Sequence, residues 1–217
     1  MNHDNDAFYA ALIHELKNHL GLLSMTIDRI PVSGVAACDA AVDAARLQCQ
    51  GVVERLQQAL AIYKAGQGRL SARIDAYSPH ELLAAVGRRA EALAHGRVRV
   101  ETAIDASVPA IWFFDRDLVE MALINAIHNS LVYGRSVIRI EARVDAGRLV
   151  LGVRDDSEGY PPHILESVAA GTPYRARGTG LGLQFARLIA EAHEDRGRRG
   201  ELRLANDHGA VFSLSLP

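Results

Sequence analysis

Glycine recurs at every second position in Gly178, Gly180 and Gly182, with Thr179 and Leu181 between them, just ahead of a helical pattern. Without Cβ atoms, such a stretch lets backbone amides come close to a ligand. The helix start that follows adds partial positive charge, so the combination suits phosphate groups. It is not a Walker loop, because no Gly-Lys-Ser/Thr follows, and its place in the chain does not suit a dinucleotide fingerprint. Asn125, Asn129 and Tyr133 recur at steps of four and so share one helix face. A carboxamide oxygen is a hard neutral ligand suited to Mg²⁺, which keeps several waters and also takes phosphate oxygens. Taken alone, the same three residues make an ordinary polar helix face. Asp155 closes an apolar run and is followed by a turn containing Gly159. A carboxylate there can accept a hydrogen bond from an adenine amino group, with Gly159 letting the chain turn beneath the base. Taken alone, Asp155 is an ordinary turn residue. Finally, His14 is followed by Glu15 and, one turn on, by Asn18. A neutral imidazole with pKa ~6.5 carries a nucleophilic nitrogen at physiological pH.

These residues need elements to hold them. Tyr9, Ile13, Leu16, Leu20, Leu23, Ile27 and Ile30 follow a 4-3 heptad spacing. Pro31 and Gly34 break the helix, and a second stripe runs Val35, Cys38, Val42, Ala45, Cys49, Val52, Leu56, Ala59, Tyr63. Two long helices with a short connection predict an antiparallel hairpin, and two hairpins predict a homodimeric four-helix bundle, the alternative being a hairpin packed on the second half of its own chain. Gly66 and Gly68 mark the exit from the second helix. Beyond them Ser78 and Glu81 form a capping box ahead of a helix reaching about Ala94. Strands are expected over 98–104 and 110–114, then a helix capped by Asp115 and ending at Gly134. Residues 137–144 and 149–154 flank Asp145 and Gly147 as a hairpin. A helix after Pro161 and Pro162, a glycine-rich loop, a helix from about Gly180 to His193 and two closing strands follow. The fold class is therefore α+β. A helical hairpin over 1–68 precedes an α/β sandwich over 69–217, with one sheet covered by helices on one face.

Composition excludes several classes. With 49% hydrophobic and 23% charged residues the chain is neither disordered nor fibrous. A net charge of -2 gives no global field for nucleic acid. Cys38 and Cys49 are the only cysteines, which excludes a disulfide scaffold and suits a reducing compartment. No apolar run approaches the ~18 residues of a membrane span and no signal peptide opens the sequence. The expectation is a cytoplasmic protein with no membrane and no nucleic-acid partner.

Together, the segments around Asn129, Asp155 and Gly178 to Gly182, in this order, resemble the N, G1 and G2 boxes of the GHKL ATPases, the Bergerat fold, over about residues 70–217. The His14 segment, followed by His19 and Leu20, resembles the H box of two-component sensor histidine kinases, in the variant with Asn four residues after His. The resemblance implies ATP and Mg²⁺ as cofactors, with Asn129 on the metal, Asp155 on adenine, and Gly178, Thr179, Gly180, Leu181 and Gly182 around the phosphates. Asn125 and Tyr133 would line the nucleotide pocket. His14 would take the γ-phosphoryl group and pass it to the aspartate of a response regulator's receiver domain. Glu15 would orient the imidazole and accept its proton. Asn18 would position water for phosphatase activity.

Ser157 stands where the family usually has glycine, and Val132 where a basic residue is common. Few residues precede the first stripe, so the expectation is a kinase without a sensor domain, taking its input from a separate protein. Two alternatives carry different expectations. One is a phosphotransfer or scaffold protein with a degenerate ATP-binding domain. The other is a serine/threonine-type GHKL kinase of the anti-sigma class, which lacks a His-bearing heptad hairpin.

Overall fold

The structure is a computed structural model that describes residues 36–94, 96–172 and 181–217, together with 16, 20–23, 25–27, 30 and 34. His14, Glu15 and Asn18 lie outside the described residues, as do Gly178, Thr179 and Gly180. The chain divides into two compact units, Met1–Arg69 and Leu70–Pro217.

In the first unit, helix α1 spans Ala36–Gly66. Its last carbonyls are met by returning amides: Gln67 donates to Tyr63 and Arg69 donates to Lys64, with Gly68 at φ 65°. This is the left-handed exit glycine allows cheaply. Residues 20–23 and 25–27 are also helical. The Cys49 thiol, 6% exposed, donates to the Leu20 carbonyl oxygen at 3.4 Å.

The second unit is a five-stranded sheet backed by helices. Its strands are β2 (Arg99–Ile104), β4 (Val137–Asp145), β5 (Arg148–Asp155), β8 (Glu201–Asn206) and β9 (Ala210–Leu216), in the order β2-β4-β5-β9-β8. Only β2 and β4 run parallel, so the sheet is mixed. Register separates its faces. Ile140 faces Val153, Val153 faces Phe212, and Leu151 faces Leu214, which puts these fully buried side chains on one face. Between them, Arg139, Glu101, Arg143, Glu141, Arg203 and Glu201 point the other way and form ion pairs in water. Period-2 alternation thus fixes one core face and one solvated face.

Helices α2 (Pro79–Ala94), α3 (Arg116–Tyr133), α4 (Pro162–Ala169) and α5 (Leu181–Ala192) cover the core face with Leu82, Val86, Leu123, Ile127, Ile164, Phe185 and Ile189. Ser78 caps α2, its hydroxyl accepting from the Glu81 amide at 3.3 Å. The Asp145 hairpin forms as the turn residues demand: Ala146 and Gly147 both take positive φ, 48° and 71°.

Two departures from the sequence reading concern short strands. The stretch around 110–114 is a strand only over Trp112–Phe114 (β3), and it joins not the main sheet but a separate ribbon with β1 (Asp75–Tyr77). A second ribbon, β6 (Glu194–Asp195) with β7 (Arg198–Arg199), links α5 to β8. Strands of two or three residues are too short to show alternation, so periodicity does not reveal them. Among the described residues, no helix is long and apolar enough to cross a membrane.

Candidate functional site

The site begins with how α3 is held. Asp115 caps it: one carboxylate oxygen accepts the Leu118 amide at 3.0 Å, and the other accepts the Arg73 amide at 2.8 Å. The Asp115 amide itself donates to Nε2 of His193, at the end of α5, at 2.9 Å. His193 is 1% exposed and its Nδ1 lies 2.7 Å from the Ile189 carbonyl oxygen. Accepting at Nε2 and donating at Nδ1 define a neutral imidazole of one tautomer. Burial pushes its pKa down, against smaller upward pulls from the Ile189 carbonyl and the Asp115 charge. The starts of α3 and the end of α5 are therefore pinned to each other through one buried ring.

Along α3, Asn125, Asn129 and Tyr133 point to one side. Asn125 and Asn129 are half-buried, and Tyr133 is exposed. Gly182, in the first turn of α5, lies against Asn125. A Cβ built on Gly182 would stand 2.4 Å from Asn125 Nδ2 and 2.5 Å from its Oδ1. The α5 N-terminus and the Asn-bearing face of α3 are thus neighbours. Leu181, at the head of α5, is half-buried.

Asp155 is the last residue of β5 and is 8% exposed. One oxygen, Oδ1, accepts the amides of Ser157 at 3.0 Å and Ala210 at 3.3 Å. The other, Oδ2, accepts the hydroxyl of Ser130 from α3 at 2.7 Å. The structure therefore brings Asp155 to the flank of α3, between Asn129 and Tyr133 in sequence.

The turn after Asp155 is fixed on both sides. Ser157 does not take a left-handed conformation, and its hydroxyl oxygen accepts the Gly159 amide at 3.1 Å. The Ser157 side chain thus takes part in ordering the turn. Gly159 has φ 88°, and a Cβ there would stand 2.5 Å from the Asn206 side chain. Asn206 clamps the next residue, accepting the Tyr160 amide at 2.7 Å and donating to the Tyr160 carbonyl oxygen at 2.9 Å. From the opposite side, Gly209 packs so tightly that a Cβ would fall 1.8 Å from the Asp155 carbonyl oxygen.

Asp156 does a different job from its neighbour. Its carboxylate accepts the Ser136 hydroxyl and the amides of Arg135, at 2.7 Å, and Ser136, at 3.0 Å. The Ser136 hydroxyl first, and these amides with that of Val137, hold its carboxyl well below the usual carboxylate range. Asp156 ties the α3–β4 connection to the end of β5. Ser130, Asp156, His193 and Asn206 went unmarked in the sequence, because each acts on a residue about 20 to 78 positions away.

A metal ion here would have to use what this face offers. Among the described residues no group of three His, Cys, Asp or Glu side chains is placed to hold one. The carboxamide oxygen of Asn129, half-buried on the α3 face, is a donor of the right hardness for Mg²⁺, whose other positions water and phosphate oxygens fill. One such neutral donor suits an ion that takes the rest of its shell from water and phosphate oxygens.

Residues 114–217 match the family described as histidine kinase-, DNA gyrase B-, and HSP90-like ATPase. The chain is 34% identical over 86 residues to the sensor histidine kinase YkoH of Bacillus subtilis, covering 36% of this chain and 19% of that protein. It is 28% identical over 108 residues to the sensor histidine kinase component HK1 of Mycobacterium tuberculosis, covering 48% of this chain and 62% of that protein. The chain thus spans less than two thirds of these relatives. Among solved structures, the Acinetobacter baumannii histidine kinase AdeS superposes with a TM-score of 0.62 at 19% identity, over 94% of this chain and 96% of that one. Full-length ShkA in complex with AMPPNP gives 0.69 at 21% identity, over 96% and 45%. At those identities the likeness is one of fold.

Proposed function

Because residues 114–217 match the histidine kinase-, DNA gyrase B- and HSP90-like ATPase family, we propose that this chain is a two-component histidine kinase that binds ATP in the second unit and phosphorylates His14 in the first. The observation that carries the reading is that β5 and α5 both meet the C-terminal half of α3. Gly182 at the head of α5 lies against Asn125, and the buried carboxylate of Asp155 accepts the hydroxyl of Ser130, the residue after Asn129.

Each contributes one chemical function. Asp155 keeps an acceptor position on Oδ2 for an adenine amino group, and Gly159 gives the base a turn to lie over. The N-terminus of α5, with Gly178, Thr179, Gly180, Leu181 and Gly182, offers amides and a positive dipole end to the phosphates. Asn125 and Tyr133 line the pocket, and Asn129 holds Mg²⁺. When bound, Mg²⁺ neutralises phosphate charge.

At the acceptor, one nitrogen of neutral His14 attacks the γ-phosphorus. A nitrogen–phosphorus bond forms as the bond to the ADP oxygen breaks. Glu15 takes the proton from the other ring nitrogen. The phosphoryl group then passes to an aspartate of a response-regulator receiver domain, and Asn18 positions water to hydrolyse that aspartyl phosphate, which releases inorganic phosphate.

The first unit fits an antiparallel hairpin that dimerises. Among the described residues, Leu16, Leu22, Leu23, Met25, Ile30 and Val52 are exposed, apolar side chains of the kind a partner surface covers. A second copy packed as a four-helix bundle would cover it. Titration of the chain with ATP and Mg²⁺ by calorimetry tests the nucleotide half of the proposal. Saturable binding that Asp155→Asn abolishes supports it. Undetectable binding would return the chain to a phosphotransfer or scaffold role.

A further inference from the structure

The carboxylate of Asp155 has about four lone-pair sites. Two, on Oδ1, are filled by the backbone amides of Ser157 and Ala210. A third, on Oδ2, is filled by the Ser130 hydroxyl at 2.7 Å. Ser130 is 5% exposed and Asp155 8%, so water does not compete freely for either group. One acceptor site is left, and its direction is set by where the Ser130 hydroxyl sits.

The backbone that carries this hydroxyl is anchored. Ser130 lies in the last turn of α3, and its carbonyl oxygen accepts the Gly134 amide at 2.7 Å where the helix ends. Its neighbours in sequence, Asn129 and Tyr133, face the candidate site. The two amides on Oδ1 belong to the backbone and hold the carboxylate at one oxygen only. Ser130 supplies the side-chain hydrogen bond that holds the other oxygen.

We propose that Ser130 is a positioning residue for base recognition: its hydroxyl, donating to Oδ2, orients Asp155 so that the one remaining lone pair meets the 6-amino group of a purine. This rests on the reading of the site as a nucleotide pocket. A purely supporting hydroxyl would stabilise the fold and treat all purine nucleotides alike. A positioning hydroxyl matters only to nucleotides that present an amino donor at position 6.

The test is therefore a ratio of affinities. ATP and the triphosphate of unsubstituted purine riboside, which lacks the amino group, are each titrated with Mg²⁺ into the wild-type chain and into Ser130→Ala. The wild type is expected to prefer ATP by about tenfold, and Ser130→Ala to lose most of that preference with its affinity for the purine triphosphate unchanged. Should the alanine variant not fold, Ser130→Cys keeps the size of the side chain with a weak donor, and its preference should fall below that of the wild type. Equal losses for both nucleotides, or an unchanged preference, would overturn the proposal while leaving the nucleotide pocket standing. A wild-type chain that binds neither nucleotide would remove the pocket and the proposal together.

Discussion

At Asp155, a single buried carboxylate meets a hydroxyl and two amides, which leaves one of its lone-pair sites open. Asparagine has the same shape but turns an NH₂ toward donors. Asp155→Asn is expected to destabilise the second unit by about 1–3 kcal/mol, since buried donors lose their acceptor, and to take ATP binding below detection. Denaturant titration and calorimetry on one preparation separate the two effects. Gly182→Ala predicts the opposite balance. Its Cβ meets the end of the Asn125 side chain, which can swing aside. Stability should change by less than about 1 kcal/mol, while ATP affinity falls because Asn125 has left its place against α5. A variant that loses stability and keeps ATP affinity would show that Gly182 serves packing alone.

Between elements, the junctions decide the geometry. His193 joins the start of α3 to the end of α5 as a neutral ring whose folded pKa is depressed by burial. The unfolded chain binds a proton there near the ordinary value of 6.5, and the folded chain resists it. The contribution is therefore complete above pH 6.5 and is lost as pH falls below it, toward the lower folded value. Urea midpoints should fall between pH 7.5 and 5.5 more steeply in the wild type than in His193→Gln, and a matching slope would contradict this. Gly209 makes the second junction. A methyl group there overlaps the Asp155 backbone, so Gly209→Ala should cost about 1–3 kcal/mol, read as a lower thermal midpoint. Elements with local signals were legible in the sequence: the Asp115 and Ser78 caps, the Ala146–Gly147 turn, and the β4–β5 hairpin around it. The candidate site was legible only as a combination: Asn129, Asp155 and the glycines each read alone as ordinary helix or turn residues, and their order along the chain is what marked them. What fastens it was not. Ser130 reads as one more polar helix residue, His193 as a residue after a helix, and Asn206 as a turn former. Their partners are distant in the chain, and no local pattern encodes a long-range hydrogen bond.

At the scale of the whole molecule the two units carry separable claims. If the first unit dimerises through its apolar stripe, light scattering should give twice the 23.5 kDa chain mass. Leu23→Glu and Val52→Glu, at exposed positions of that stripe, should then yield monomers that still bind ATP. Monomeric wild type at micromolar concentration would contradict the bundle without touching the nucleotide pocket. The central claim joins the units: a nucleotide held by the second is spent on a histidine of the first. The most direct measurement incubates the chain with Mg²⁺ and γ-labelled ATP beside His14→Gln, then treats the labelled protein with acid and with alkali. The account predicts label that acid releases, alkali spares and the variant lacks. Label on His14→Gln, or label stable to acid, would contradict it.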